Sequence, residues 1–157
     1  MIREGLPYAN TTPVTACSSQ YHGIDVLILR AASHRGTPVV EWGDPAELKS
    51  GDELLLLPRR EIHPEPVTVK FVHLNLSEWT KTPTDWSPPW RNVMVGDGMS
   101  RPGFSGSPWS RDGKVLGLHK GRVQPTGQTK WYAVAETATR VRDCLRLLNY
   151  EGLVPRE

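Results

Sequence analysis

Ser105 sits in the string Arg101-Pro102-Gly103-Phe104-Ser105-Gly106-Ser107-Pro108-Trp109, with glycines two residues before it and one residue after it. A serine hydroxyl presented by a glycine-lined turn suits acyl transfer, in which its oxygen attacks a carbonyl and nearby donors hold the developing oxyanion. Two arrangements use such a serine. A nucleophile elbow requires Gly-x-Ser-x-Gly on a strand-to-helix turn, but Ser107 takes the final glycine position and strand-like sequence follows, so that arrangement is disfavoured. The other requires glycine two residues before the serine, so that the N–H groups of Gly103 and Ser105 converge on one oxygen.

Read in the second way, Gly103 to Pro108 resembles the Gly-x-Ser-Gly-(Gly/Ser)-Pro signature of chymotrypsin-like serine proteases, and Asp112-Gly113-Lys114-Val115-Leu116-Gly117-Leu118-His119 resembles their next hairpin. Asp25-Val26-Leu27-Ile28-Leu29 is similar to the segment in which this family carries the aspartate that orients the catalytic histidine, 80 residues before Ser105. An acid at a strand start that bonds nearby backbone N–H groups is the plain alternative for Asp25. Gly43-Asp44-Pro45 with Leu48-Lys49-Ser50-Gly51-Asp52 resembles the connection into the second barrel of the bacterial high-temperature-requirement branch, and Tyr132-Ala133-Val134 its end. The resemblance implies Ser105 as nucleophile, Asp25 as orienting acid, and the Gly103 N–H as part of the oxyanion hole. It implies no cofactor.

The family also needs a histidine that sits in space between aspartate and serine and lies a few tens of residues before the aspartate in sequence, and only 24 residues precede Asp25 here. His22 is too close to Asp25 to reach Ser105 as well, and His34, His63 and His73 fall where the family places no catalytic group. Losing the histidine costs a comparable protease about 10⁶ in turnover, so the chain alone is expected to be nearly inactive. The expectation is an amino-terminal truncation, with the base supplied by the missing first-barrel segment or a second chain. The rival is a protease-like module that only binds extended peptides. A further rival, an unrelated β-barrel with a chance motif, would bury Ser105 or hold it far from Asp25.

Met99, six residues before Ser105, stands where relatives that cut after basic residues carry an acid, which disfavours cleavage after lysine or arginine. His119, in Gly117-Leu118-His119-Lys120-Gly121, resembles the pocket strand of viral chymotrypsin-like proteases that cut after glutamine or glutamate. The resemblance implies that His119 donates to a substrate side-chain oxygen, with Lys120 favouring an acid and Gly121 lining the strand. A solvent-facing histidine is the equal alternative.

The elements that must position these residues are short. Fourteen glycines and fourteen prolines in 157 residues argue for an all-β chain with many turns. A first strand is expected over Asp25 to Arg30, then a helical turn over Asp44 to Lys49, then six strands: Glu53 to Leu57, Val67 to Leu76, Asn92 to Val95, Gly106 to Trp109, Lys114 to His119 and Lys130 to Val134. Val67, Val69 and Phe71 alternate with Thr68 and Lys70, the pattern of a strand with one buried face. Glu78 to Trp90, with three tryptophans and three prolines, is expected to be a surface loop that either lines a cleft or packs its indoles on the barrel. Val141, Leu145 and Leu148 fall at helical spacing, with Thr137 or Thr139 as cap.

The fold expected from this order and the resemblance is a trypsin-like double β-barrel. Residues 1–36 form a remnant of the first barrel, 37–52 a linker, 53–135 a complete six-stranded antiparallel second barrel, and 136–157 a helix and tail.

Charge and composition limit the partners. Nineteen lysines and arginines against seventeen acids, with only Arg59-Arg60 tightly paired, build no stripe for nucleic acid. No apolar run is long enough to span a bilayer, so the partner expected is a peptide or protein substrate. Cys17 and Cys144 match no metal-ligand spacing and read as separate thiols, a weak lean to a cytoplasmic setting.

Overall fold

The computed structural model describes residues 11–14, 28–31, 41–82 and 86–147. Strands β1 (Thr11–Val14) and β2 (Ile28–Ala31) pair antiparallel, Thr11 opposite Ala31. The strand expected from Asp25 is thus found from Ile28, and Asp25 itself lies outside the described residues. β1 was not expected, because Thr11-Thr12-Pro13-Val14 is a short run broken by a proline.

A second sheet holds β3 (Glu41–Trp42), β4 (Glu53–Leu56), β5 (Val67–His73), β6 (Met94–Asp97), β7 (Pro108–Arg111), β8 (Lys114–Val123) and β9 (Tyr132–Thr137). Neighbours run β8, β7, β4, β5, β6, β9, and β9 pairs back onto β8, closing six antiparallel strands into a barrel. β3 adds in parallel at the start of β8, Glu41 opposite Lys114, so part of the expected linker belongs to this sheet. Between them Pro45–Glu47 forms the expected single helical turn, capped by the Asp44 carboxylate on the Ala46 N–H.

The barrel closes because its inner positions are apolar. Leu54 and Leu56 of β4, Val67, Val69 and Phe71 of β5, and Ala133 and Ala135 of β9 join Phe104, Trp109 and Leu116 in one buried cluster. On β6 and β9 the outward residues are buried too. Val95 and Val134 meet Leu76, Val93 and Val123 in a second cluster, covered by Trp79, Trp86 and Trp90.

That cover comes from the region expected to be loop. Two short helices stand there, α1 (Leu76–Thr80) and α2 (Pro88–Arg91). Asn75 caps α1 through its side-chain oxygen on the Glu78 N–H, which ends β5 at His73 instead of running it to Leu76. Helix α3 (Ala138–Leu147) follows β9 directly, with Thr137 Oγ1 accepting from the Arg140 N–H and Val141, Cys144 and Leu145 buried. Cys144 is disulfide-bonded, which corrects the expectation of separate thiols and removes the support that it lent to a cytoplasmic setting. Distance along a chain says nothing about distance across a fold, and Cys17 lies outside the described residues. Among the described residues no helix is long and apolar enough to cross a membrane.

Candidate active site

Two consecutive turns build the segment around Ser105. The Phe104 N–H donates to the Arg101 carbonyl at 3.1 Å, and the Ser107 N–H to the Phe104 carbonyl at 3.0 Å. The third residue of each turn is a glycine at positive φ, Gly103 at 92° and Gly106 at 84°, whereas Pro102 and Ser105 at the second positions are not. These are type II turns, which need positive φ at the third position and favour proline at the second. The three-residue spacing of Gly103 and Gly106 is therefore the repeat of two linked turns, and Ser105 stands at the corner of the second. The strand expected from Gly106 begins only at Pro108 because of that turn.

Phe104, fully buried in the barrel core, anchors the point where the turns meet, while Ser105 on the next residue is exposed. A Cβ on Gly103 would come within 3.0 Å of Ile62, whose half-exposed side chain lies over the first turn from the β4–β5 connection. Among the described residues, neither the Gly103 N–H nor the Ser105 N–H donates to a backbone carbonyl. Both N–H groups thus stand without a backbone acceptor at and near the exposed serine.

Strand β8 forms the facing wall. Its pairing with β9 shifts between His119 and Gly121, so Lys120 is a bulge residue. The bulge aims the Lys120 carbonyl at Ser105 Oγ, 3.4 Å away. Pairing with β7 ends at Leu118, followed by a 2.7 Å bond from the His119 N–H to the Ser107 carbonyl. Beyond it, Lys120 to Val123 carry no strand on that side among the described residues. An extended peptide could pair along this edge and bring its carbonyl to Ser105.

His119 is 3% exposed, so the solvent-facing alternative is overturned. Its Nδ1 accepts from the Trp109 indole at 3.1 Å and its Nε2 lies 2.8 Å from Ser100 Oγ. A ring that accepts at Nδ1 carries its proton on Nε2, which therefore donates to Ser100 and leaves the Ser100 hydroxyl proton to point elsewhere. Burial pushes the His119 pKa down to about 4 and keeps the ring neutral.

The structure places Met99, exposed, beside Ser100. Lys120 goes elsewhere. Its Nζ bonds the Pro89 carbonyl at 2.7 Å and pairs with Glu136 at 3.3 Å, with side chains 5% and 2% exposed. The positive charge expected to favour an acidic substrate is already matched by a buried carboxylate. Gly121 lies next to Trp90 of α2, whose ring a Cβ at Gly121 would meet at 3.4 Å.

The structure brings Ser105, two residues after Gly103, to the Lys120 carbonyl, with His119 and Gly121 on either side of Lys120 and Met99 next to the Ser100 that bonds His119; Asp25 lies outside the described residues. Sequence reasoning missed Ser100, Trp109, Glu136 and Trp90. Only Glu136 left a signal, a lone acid directly after the apolar run Tyr132-Ala133-Val134-Ala135. His63 bonds the Glu65 carbonyl and sets its ring edge-on against Phe104, and His73 accepts from the Asn75 N–H; neither bonds Ser105. Among the described residues no group of three or more His, Cys, Asp or Glu side chains could hold a metal ion.

No family model matches the chain, and no curated protein matches it. Among solved structures it is similar to the chain described as "Crystal structure of Rv3671c protease, inactive form", with TM-score 0.60 and 23% identity over 88% of this chain. That match spans 66% of the other chain. The likeness shows the fold, and the neighbour with that fold is a protease.

Proposed function

We propose that the chain carries the nucleophile half of a serine endopeptidase that hydrolyses peptide bonds through an acyl-enzyme. The observation that supports this most is the pair of type II turns, which presents Ser105 outward with the Gly103 and Ser105 N–H groups uncommitted beside an open strand edge. In this mechanism Ser105 Oγ attacks the scissile carbonyl and a histidine takes its proton, with Asp25 orienting that histidine. The two N–H groups stabilise the oxyanion, the histidine returns the proton to the leaving amine, and water then releases the acyl group. Among the described residues no histidine bonds Ser105, and His22 and His34 lie outside them; in this reading the base is supplied by a segment upstream of the first barrel strands or by a second chain.

The pocket beside Ser105 favours a substrate side chain with an oxygen. The neutral His119 and Ser100 pair offers it a hydroxyl donor, and Lys120 is held by Glu136, so glutamine suits the pocket better than glutamate. The second reading is a peptide-binding module without turnover. It draws on the bonds of His63, His73 and His119, none of which goes to Ser105.

A fluorophosphonate probe tests the first reading, applied to this chain, to Ser105→Ala, and to a form extended upstream through any histidine in the same reading frame. Labelling of the extended form that Ser105→Ala abolishes supports the endopeptidase. Absence of labelling in every form favours the binding module.

A further inference from the structure

Trp90 lies within contact distance on the side to which a side chain at position 121 would project. Gly121 lies on the open edge of β8, one residue beyond the Lys120 carbonyl that faces Ser105. The nearest atoms to a Cβ built there are Cη2 and Cζ3 of Trp90, at 3.4 and 3.9 Å, both on the six-membered ring. Trp90 itself is only half-buried.

Its position is fixed from several directions. The Trp90 N–H donates to the Ser87 carbonyl at 2.9 Å and starts α2 behind two prolines. Arg91 Nε donates to the Trp86 carbonyl, and Ser77 Oγ to the Arg91 carbonyl, tying α2 to α1. Lys120 Nζ lies 4.7 Å from the centre of the indole and bonds the neighbouring Pro89 carbonyl. The bulge residue whose carbonyl faces the serine thus also holds the tryptophan, through its side chain.

We infer that Trp90, bared by Gly121, is a specificity-determining residue that takes an aromatic or large aliphatic side chain from a peptide lying along β8, upstream of the bond that Ser105 attacks. This rests on the reading of the β8 edge as the substrate strand. An indole edge with no side chain between it and the peptide offers apolar area and an edge-to-face partner, which a small or charged residue would leave unused. A side chain larger than glycine at 121 would cover that edge from the peptide.

The test uses the 157-residue chain and a set of labelled extended peptides with a glutamine at the position facing the pocket. Each of the four positions that end at this glutamine, other than the glutamine itself, is varied among Ala, Glu, Leu and Phe. Binding is followed by fluorescence anisotropy for the unsubstituted chain, Trp90→Ala, Trp90→Phe and Gly121→Ala. At one position Leu and Phe are expected to bind roughly tenfold tighter than Ala, a preference that Trp90→Ala abolishes and Trp90→Phe largely keeps. Gly121→Ala adds a methyl at ordinary contact distance from the ring, so the fold and Trp90 stay in place while the preference falls. Peptide binding whose preference is the same in all four proteins overturns the role of Trp90 alone. No binding of any peptide by the unsubstituted chain overturns the reading of the β8 edge together with it.

Discussion

The indole of Trp109 donates to Nδ1 of His119 at 3.1 Å, inside the barrel wall, and so decides which imidazole nitrogen carries the proton. Nitrogen-15 NMR should show His119 as a single Nε2–H tautomer at neutral pH. Trp109→Phe keeps most of the ring volume but removes the donor, and a mixture of tautomers is expected, with a loss of about 1–3 kcal/mol for the buried acceptor left behind.

Acid should destabilise the fold through the same histidine. Its pKa is about 4 when folded against an ordinary 6.5, so between those values the unfolded chain binds a proton that the folded one does not. The stability present above pH 6.5 is therefore lost as pH falls toward 4, by about 3 kcal/mol in all. Urea midpoints measured across that range should fall in the unsubstituted chain and flatten in His119→Gln.

The two turn glycines should differ in what they tolerate. Gly106 has nothing within 4 Å of its missing Cβ, so Gly106→Ala meets only the cost of positive φ, about 1–2 kcal/mol, and Gly106→Asn less. Gly103→Ala adds a 3.0 Å contact with Ile62 to the same backbone cost and should lose more. Denaturant midpoints of the three variants give the ranking, and Gly103→Ala with Ile62→Ala should recover the steric part.

The Lys120 and Glu136 pair is nearly inaccessible to water, so removing one partner costs more than removing both. Lys120→Met alone is expected to lose about 3 kcal/mol or more, and Lys120→Met with Glu136→Leu to recover part of it. A double-mutant cycle by urea denaturation measures the coupling.

Much of the barrel was legible because β4 and β5 alternate: Leu54 and Leu56 point in while Glu53 and Leu55 point out, and Val67, Val69 and Phe71 point in against Thr68 and Lys70. β6 and β9 obscured that signal, since Val95 and Val134 are buried on the outer face under tryptophans and leave no polar alternation to read. α1 and α2 hid for a related reason: each is one turn or little more, too short for a period to show. The serine turn was legible through its glycines, whose positive φ leaves a mark in the sequence. The partners of His119 and Lys120 were not, because Ser100, Trp109, Glu136 and Trp90 reach them across the barrel wall, at separations that no local pattern records.

The central claim is that Ser105, with the Gly103 and Ser105 N–H groups, forms a site for a tetrahedral oxyanion. The most direct measurement is the amide NMR spectrum of the form extended upstream through a histidine in the same reading frame, with a peptidyl boronic acid, which places a tetrahedral boronate on a nucleophilic serine. A covalent adduct at Ser105 that moves the Gly103 and Ser105 amide signals downfield, and is absent in Ser105→Ala, is the predicted result. An unchanged spectrum at saturating boronate, or shifts that persist in Ser105→Ala, would contradict it.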